Sequence, residues 1–366
     1  MPRRPSFPSG AARVKRILKH TWAHLWFDTG LLALVEWLRG LRPRCRPLAI
    51  LMYHRIVSPE RAGQVLSHPD IMVDAATFRR QLAFLASRYQ VISLGDFAAA
   101  AQTGTPPPRR AVALTFDDGW EDNYQTAFPA LRDAGLPATV FLTAGLIGSR
   151  EMFWQERVIG RVRRLADRPR LLRDCFERSG LGGLVPLLPV PGGGDLSGEG
   201  TAALIDALLE VDEPRVAGLL ERLAGAEPAP EPAVSANSFL SWTQVAEMRQ
   251  GGIAFGSHGT SHRRLDRIPP EQADDEILRA KATLAEHLGG PETELFAYPN
   301  GGHTARVVAQ LREAGYRAAV TTREGVNTMA TDRFRLRRIN ACEDRFRSPR
   351  GRFSRAMLAA YLAGLL

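Results

Sequence analysis

Short apolar runs alternate with longer helical patterns along most of this 366-residue chain. In the helical patterns the apolar residues recur three or four positions apart, as Phe78, Leu82 and Leu85 do, which is the spacing of a buried helix face. Several patterns end at a glycine, the usual stop signal at a helix C-terminus. The predicted strands are 48–54, 90–93, 111–117, 138–143, 253–258, 294–298, 317–321 and 335–339. The predicted helices are 75–88, 123–134, 242–250, 270–288 and 304–314.

The order of these elements predicts an α/β fold. Strands separated by helices of this length form a parallel sheet of βα units, and eight candidate strands fit a barrel better than a short open sheet. In such a barrel the chemistry lies at the C-terminal ends of the strands. We therefore expect a (β/α) barrel over residues 48–345, followed by a C-terminal helix in 346–366.

One segment interrupts the alternation. Residues 150–237 contain helical patterns and no clear strand, so we predict a helical insertion within the barrel. Its Gly-, Pro- and Leu-rich stretch 180–200 and the Pro/Ala stretch 226–232 have the composition of flexible joints. The insertion is either a lid over the site or a peripheral decoration.

Residues 1–47 form a separate segment. A basic stretch precedes a Trp- and Leu-rich run from Trp22 to Leu41, which predicts an amphipathic helix. The run contains Asp28 and Glu36 and lacks a small-residue cleavage site, so it does not read as a signal peptide. Two interpretations stand side by side: contact of residues 1–44 with a membrane interface, or packing of the helix on the main domain.

Composition narrows the choice of partners. The net charge of +9 favours anionic partners. No block of Lys and Arg interleaved with aromatic residues marks a nucleic-acid site, so we predict no nucleic-acid binding. Three cysteines, few and far apart, argue against a disulfide framework.

Two acidic residues end one of the apolar strands. Asp117 and Asp118 follow the run 111–116 and precede Gly119. Adjacent carboxylates at the end of a buried strand need a positive neighbour, and a metal ion supplies that charge. By itself an Asp-Asp-Gly sequence often marks only a turn.

Two histidines end a second strand. His258 and His262 are four residues apart, a spacing that lets both bind one metal ion if the chain turns helically after strand 253–258. If both strands belong to one barrel, Asp118, His258 and His262 converge at one rim. Two imidazoles and one carboxylate form an open three-ligand site, which is the catalytic arrangement of a metal.

A Pro/Gly turn follows the strand 294–298. The sequence Pro299-Asn300-Gly301-Gly302 exposes backbone N–H groups, which can stabilise an oxyanion. An ordinary turn between a strand and a helix has the same composition, so both interpretations stand.

Taken in this order, the three motifs resemble the polysaccharide deacetylases with the NodB homology domain, carbohydrate esterase family 4. The motifs are Thr-Phe-Asp-Asp-Gly at 115–119, His-x-x-x-His at 258–262 and the Pro-containing turn. The resemblance covers 48–340 apart from the insertion. It implies a distorted (β/α) barrel of the NodB type and a hydrolase that removes acetyl groups from an N-acetylated sugar.

The resemblance also implies roles for individual residues. Asp117 becomes the general base, and the backbone N–H of Asn300 becomes the oxyanion donor. Trp120 and Tyr298, beside the motifs, are the candidate substrate-binding residues. The implied ligands of a divalent metal ion, usually Zn²⁺, are Asp118, His258 and His262.

Two positions depart from the family pattern. Ala297 stands where the family usually has an Arg that orients the base, and 336–338 lacks the usual C-terminal His that acts as the acid. We predict that His54, at the end of the first strand, is the general acid, as in the branch of the family that acts on poly-N-acetylglucosamine. We also predict that Arg338 orients Asp117.

The motifs leave the substrate and the cellular compartment of the protein open. The family includes enzymes that act on peptidoglycan, chitin, acetylxylan and non-sugar amides. A non-catalytic glycan-binding or scaffold protein on the same fold is a further alternative. Without a clear signal peptide, we expect a cytoplasmic location or peripheral attachment at the inner membrane, with the periplasm as the alternative.

Overall fold

The computed structural model describes residues 10–188, 199–227, 237–289 and 294–366, and parts of the predicted N-terminal segment and of both predicted joints lie outside these ranges. The chain divides into two compact units. The barrel unit comprises Phe7–Glu60, Ile71–Ser149 and Phe239–Leu366, and the helical unit contains Arg61–Asp70 and Arg150–Ser238.

The strands all belong to the barrel unit. They are β1 Leu48–Tyr53, β2 Arg55–Val57, β3 Met72–Asp74, β4 Gln90–Val91, β5 Ala111–Phe116, β6 Thr139–Leu142, β7 Ala254–Ser257, β8 Leu295–Ala297, β9 Ala318–Val320 and β10 Ile339–Asn340. The helices are α1 Gly10–Asp28, α2 Leu31–Gly40, α3 Ala75–Arg88, α4 Leu94–Thr103, α5 Phe128–Ala134, α6 Trp154–Arg164, α7 Pro169–Arg178, α8 Glu199–Leu209, α9 Glu213–Ala226, α10 Trp242–Gln250, α11 Pro270–Leu288, α12 Ala305–Glu313 and α13 Arg355–Leu362.

The main sheet is parallel and curls into a barrel. Its strands follow the order β10-β1-β5-β6-β7-β8-β9, with β4 paired to the start of β5. A parallel bridge between Val320 and Leu336 links β9 to the chain that enters β10. The predicted distorted (β/α) barrel is thus confirmed, and the C-terminal ends of β1, β5, β7 and β8 meet at one rim.

Alternate residues of the strands fill the barrel interior. Leu48 and Ile50 of β1 and Ala111 and Ala113 of β5 are buried in one apolar cluster. They lie two positions apart because successive side chains of a strand point to opposite faces. Phe97 of α4 packs into the same cluster.

Local capping explains where several helices begin. The Asp74 side chain accepts hydrogen bonds from Ala76 N and Thr77 N at the start of α3. Ser241 and Gln244 form a reciprocal capping box at the start of α10. These bonds satisfy backbone N–H groups that the first helical turn leaves without partners.

Several predicted elements differ from the structure. The predicted strand 90–93 is only two residues long and lies outside the ring. The strand predicted at 335–339 is absent except for an isolated bridge at Leu336 and the first residue of β10, Ile339. The predicted helix 123–134 opens with a π-helical turn before α5. The single predicted N-terminal helix is wrong: α1 and α2 are separate because Gly30 adopts a left-handed conformation between them, with φ of 78°.

The helical unit consists of α6 to α9, with no strand in its described residues. Its core contains Val158, Phe176 and Leu219. The segment Arg61–Asp70 belongs to this unit because polar bonds hold it there. Leu66 N donates to Asn237 Oδ1 at 3.1 Å, and Ser67 Oγ donates to Glu156 Oε1 at 2.7 Å.

None of the helices in the described ranges is long and apolar enough to cross a membrane. None of the cysteines Cys45, Cys175 and Cys342 forms a disulfide bond within the described ranges.

Candidate active site

The first side chains of the site follow β5, where the chain turns sharply. Asp118 adopts φ of 76° and Gly119 φ of 82°. The left-handed region costs an ordinary L-residue about 1–2 kcal/mol, and Asp is one of the few that visit it. A side chain at position 119 would approach Leu142 and Ile147 to 2.9 Å, so only glycine fits. This turn brings the carboxylates of Asp117 and Asp118 into one buried cluster.

Backbone strain concentrates at this rim. Among the described residues, those other than glycine with positive φ are Arg110, Asp118, His262 and Asn300. Three of these four are predicted site residues. Strained conformations persist where the surrounding structure holds them and where function uses them.

The predicted metal ligands converge. Asp118 Oδ1 lies 3.4 Å from His258 Nε2 and 3.4 Å from His262 Nε2. One ligand atom from each residue lies within 4.8 Å of the other two. Ligand atoms held tetrahedrally by Zn²⁺ lie about 3.4 Å apart, given metal–ligand bonds of about 2.1 Å. The spacing of the triad therefore fits a zinc-sized divalent ion.

Neighbouring groups orient two of these ligands. Trp120 Nε1 donates to Asp118 Oδ2 at 2.8 Å, which leaves Oδ1 to face the two imidazoles. That buried Oδ1 accepts no hydrogen bond from any residue in the described ranges. His258 Nδ1 lies 2.8 Å from Ala297 O, and donation from Nδ1 leaves the Nε2 lone pair toward Asp118. An oriented, unpaired carboxylate oxygen between two imidazole nitrogens is a donor set that suits a cation.

Glu276 of α11 fixes the turn that carries the second histidine. Its carboxylate accepts hydrogen bonds from Thr260 N and Ser261 N, both at 2.9 Å, and from Ser261 Oγ at 2.5 Å. The turn places His262 opposite Asp118, as required for a shared ligand site. Sequence reasoning missed Glu276 because it lies fourteen positions after His262, within an ordinary amphipathic helix.

The ionisation of the triad follows from its neighbours. Burial raises the pKa of Asp118, but the neighbouring imidazoles of His258, His262 and His54 outweigh it and hold that pKa well below the usual range. Burial lowers the pKa of His262 to about 4. Burial also lowers the pKa of His258, but the charges of Asp117 and Asp118 raise it above its usual value. The carboxylate is therefore ionised and available as a ligand.

Asp117 is paired with Arg338, as predicted from the missing family Arg. Arg338 Nη1 donates to Asp117 Oδ1 at 2.7 Å, and Nη2 donates to Oδ2 at 2.6 Å. The guanidinium is held by Thr321 O at 2.9 Å and Thr115 Oγ1 at 3.2 Å. Burial raises the pKa of Asp117, but Arg338 and the histidines lower it below its usual value. Asp117 is thus a buried carboxylate kept ionised, the form that a general base needs.

His54 lies on the other side of Asp117. Its Nε2 is 3.8 Å from Asp117 Oδ2, and its Nδ1 has no hydrogen-bond partner among the described residues. Burial is the main cause that lowers the pKa of His54, and the two aspartates oppose this without reversing it. Sequence reasoning placed His54 on this rim, and the structure brings it beside the base in its neutral form.

Asn300 lies in the short turn after β8, next to the strand that carries His258. It is exposed and has φ of 51°, whereas Pro299 is buried. The Ala297 side chain is buried in the barrel core and makes no polar contact, so the guanidinium that the family places there comes from position 338 instead.

The prediction that Trp120 and Tyr298 bind substrate is corrected by the structure. Both side chains are fully buried. The Trp120 ring stacks on Phe239 at 4.6 Å between ring centroids, and its N–H is bound to Asp118. Tyr298 OH donates to Phe334 O at 3.0 Å. Because both side chains are buried and their polar atoms are already hydrogen-bonded, neither is available to bind a substrate.

A buried ion pair between Arg55 and Asp122 lies beside the Trp120 ring. Arg55 Nε donates to Asp122 Oδ2 at 2.8 Å, and the Arg55 guanidinium lies 4.2 Å from the centre of the Trp120 ring. Asn123 Nδ2 donates to His54 O at 2.7 Å. These residues were not predicted, although each lies within three positions of a predicted site residue.

The polysaccharide deacetylase family model matches residues 104–177 and 195–319, more than half of the chain. The chain therefore belongs to the polysaccharide deacetylase family. It is a hydrolase that acts on the N-acetyl amide bond of polysaccharides, which confirms the resemblance read from the motifs.

Individual relatives are distant. A Bacillus subtilis (strain 168) protein, YxkH, named within the polysaccharide deacetylases, is 21% identical over 304 residues, 83% of this chain and 74% of that protein. The poly-beta-1,6-N-acetyl-D-glucosamine N-deacetylase of Escherichia coli (strain K12) is 39% identical over 67 residues, only 18% of this chain and 10% of that protein. The structure of IcaB from Ammonifex degensii has the same fold, with a TM-score of 0.54, 19% identity and coverage of 87% of this chain and 97% of that one.

Proposed function

We propose that the barrel unit catalyses metal-dependent removal of the acetyl group from an N-acetylhexosamine in a glycan, with release of acetate. One observation carries this proposal: three metal-type ligands converge beside a carboxylate that a buried arginine keeps ionised. A structural ion pair alone does not account for the buried Oδ1 of Asp118, which lies 3.4 Å from two imidazole nitrogens and accepts no hydrogen bond among the described residues.

Asp118, His258 and His262 would hold the ion. A carboxylate and two imidazoles form the three-residue donor set of catalytic zinc sites, which keep further positions open. When bound, the ion polarises the acetyl carbonyl and makes a water molecule more acidic.

Asp117 accepts a proton from the water that attacks the acetamide carbonyl carbon. Its lowered pKa keeps it ionised at neutral pH, and Arg338 fixes the direction of its two oxygens. The developing oxyanion is stabilised by the backbone N–H of Asn300, on the turn next to the His258 strand.

His54 protonates the leaving amine. The C–N bond breaks only if the nitrogen gains a proton, because an amide anion is a very poor leaving group. His54 is neutral as the structure stands, so it must first gain a proton, and Asp117 at 3.8 Å is the adjacent carrier. The water thus supplies its OH to the acetyl carbon and its proton to the amine, by way of Asp117 and His54.

Poly-β-1,6-N-acetylglucosamine is the substrate that we favour. The support is the short stretch of higher identity to the Escherichia coli deacetylase named for that polymer. His54, at the end of the first strand, also matches the branch of the family that acts on poly-N-acetylglucosamine.

The test is acetate release by the purified chain from oligomers of β-1,6-linked and β-1,4-linked N-acetylglucosamine, from peptidoglycan and from acetylxylan. We expect the β-1,6-linked oligomer to give the highest kcat/KM. We also expect release to stop after treatment with a chelator and to return with Zn²⁺. Activity that persists without any divalent ion would remove the metal mechanism, and preference for another polymer would remove the substrate assignment.

A further inference from the structure

Exposed large apolar side chains are concentrated on the first two helices and the residue after them. Apart from Leu278 of α11, those found in the described ranges are Ile17, Leu18, Leu25, Leu31, Leu34, Trp37, Leu38 and Leu41. Apolar residues scattered singly on a surface need no explanation, but a contiguous set marks a surface that another apolar medium covers.

The helix α2 turns its polar residue toward the protein. Glu36 is nearly buried and accepts contacts from Arg110 Nε at 2.9 Å, Arg88 Nη2 at 3.4 Å and Tyr89 OH at 3.2 Å. Leu32 and Gly40, four residues to either side, are buried on the same face. The orientation of α2 is thus fixed by an internal ion-pair network.

The opposite face of α2 is apolar and exposed. Leu31, Leu34, Leu38 and Leu41 follow the three- and four-residue spacing of one helix face, and Trp37 lies beside them with 52% of its surface exposed. With 3.6 residues per turn, these five positions span an arc of about 120°. This pattern departs from the usual amphipathic helix, because the carboxylate of Glu36 is inside and three of the four leucines of α2 are exposed.

The helix α1 contacts α13 and the residue that caps its N-terminus. His24 Nε2 lies 3.3 Å from Ser354 Oγ, and Lys19 Nζ lies 5.8 Å from the centre of the Tyr361 ring. Leu18 and Leu25, seven residues apart and thus on one face, are 64% and 57% exposed.

The same segment is strongly basic. Residues 10–46 contain eight Arg and Lys and two acidic residues, of which Glu36 is neutralised internally. A cleft beside α2 is lined by Arg39, Arg46, Arg109 and Arg110, with Glu36 as the one carboxylate among its lining residues. An apolar protein partner would not require this excess of positive charge, whereas a bilayer with anionic headgroups would attract it.

We propose that α1, α2 and the arginines around them form a docking surface for a bilayer that contains anionic lipids. The exposed leucines and Trp37 enter the boundary between headgroups and acyl chains, and the exposed Arg42 and Arg44, which directly follow α2, bind lipid phosphates. This inference is independent of the catalytic proposal, because none of these residues belongs to the candidate active site.

Co-sedimentation of the full chain with vesicles tests the proposal. Vesicles of phosphatidylcholine containing phosphatidylglycerol should bind the protein, and vesicles of phosphatidylcholine alone should bind it less. The double variant Leu34→Glu/Trp37→Glu should bind anionic vesicles at least about tenfold more weakly, because two large apolar side chains no longer enter the bilayer. The double variant Arg42→Glu/Arg44→Glu should lose most of the preference for anionic vesicles.

Leu278→Glu is the matched control. It replaces an equally exposed leucine, at 52%, on α11, outside the proposed surface, and should bind vesicles as the unchanged chain does. Circular dichroism and acetate release from a soluble oligomer should be the same for all variants, which shows that each is folded. Equal vesicle binding by Leu34→Glu/Trp37→Glu and the unchanged chain would overturn the proposal. So would a dimer, measured by light scattering, that the same double variant dissociates while vesicles bind nothing.

Discussion

Arg338 and Asp117 are 221 residues apart in the chain and share two hydrogen bonds of 2.7 and 2.6 Å. Both side chains are almost completely buried. A bidentate guanidinium–carboxylate pair fixes the direction of both carboxylate oxygens as well as their charge. Arg338, which directly precedes β10, thus supplies Asp117 with a guanidinium that Ala297 cannot offer.

Substitutions at Arg338 should move the pH dependence of the enzyme. Arg338 lowers the pKa of Asp117 against the opposing effect of burial. Its loss in Arg338→Met should raise that pKa, so the base becomes protonated at higher pH and the acid limb of kcat/KM shifts upward. Arg338→Lys keeps the charge and should shift it less.

The control for this prediction is Arg337→Met, at the exposed neighbouring position. It should leave the profile of kcat/KM against pH unchanged. An acid limb that stays in place in Arg338→Met, in a protein that remains folded, would show that Asp117 is not the group that titrates. Arg338→Met should also lower the melting temperature, because removing one partner of a buried ion pair costs about 3–5 kcal/mol.

Asp117→Asn should separate catalysis from metal binding. Loss of a general base lowers kcat by about 10²–10⁴-fold, whereas the three ligands stay intact. We therefore expect acetate release to fall by that factor while metal content, measured by mass spectrometry of the acid-digested protein, stays near that of the unchanged enzyme. Full activity in this variant would contradict the assignment of the base.

His54→Gln should reveal whether His54 acts on the leaving group. An amide needs a proton on its nitrogen, but an aryl ester releases a stable phenolate without one. We expect a loss of about 10²–10⁴-fold on the N-acetylated oligomer and a much smaller loss on 4-nitrophenyl acetate. Equal losses on both substrates would instead indicate a role in binding or positioning.

Trp120→Phe should weaken metal binding without touching a ligand. It removes the hydrogen bond to Asp118 Oδ2, which leaves that carboxylate free to rotate. Loss of such a supporting bond typically lowers metal affinity about 10–100-fold. Competition with a fluorescent zinc chelator measures the change.

Trp242→Phe, at the partly buried start of α10, is the control and should bind zinc as the unchanged chain does. Unchanged zinc affinity in Trp120→Phe would mean that the bond does not orient the ligand.

Removal of a metal ligand should be more severe. His262→Ala deletes one of the three imidazole and carboxylate donors, and we expect the protein to lose bound metal and activity together. His287→Ala, at an exposed position on α11, should retain both. Activity without metal in His262→Ala would remove the triad from the mechanism.

Many strands and helices of the barrel could be predicted from the sequence because the residues that define each of them are close together in the chain. An apolar strand such as 111–116 shows its burial residue by residue, and helix caps lie within a few positions of the helices that they start. The candidate ligands Asp118, His258 and His262 could be named because their motifs follow the ends of two strands, and parallel strands bring their C-terminal ends to one rim.

Other features depend on groups that are distant in the chain. Glu276 supports the His262 turn from a helix whose sequence shows only ordinary amphipathicity. Trp120 and Tyr298 lie beside catalytic motifs, but only the packing shows that their rings are buried and their polar atoms already bound. The segment Arg61–Asp70 has no local signal for its place in the helical unit.

The sequence by itself determined the fold class and the family, and it named Asp118, His258 and His262 as the candidate metal ligands. The tertiary structure decided that Arg338 reaches Asp117, that His54 lies beside it, and that the N-terminal leucines face outward. The physical reason is that a few neighbouring residues determine whether a strand is buried and how candidate ligands are spaced. The direction of a side chain depends on every element packed around it.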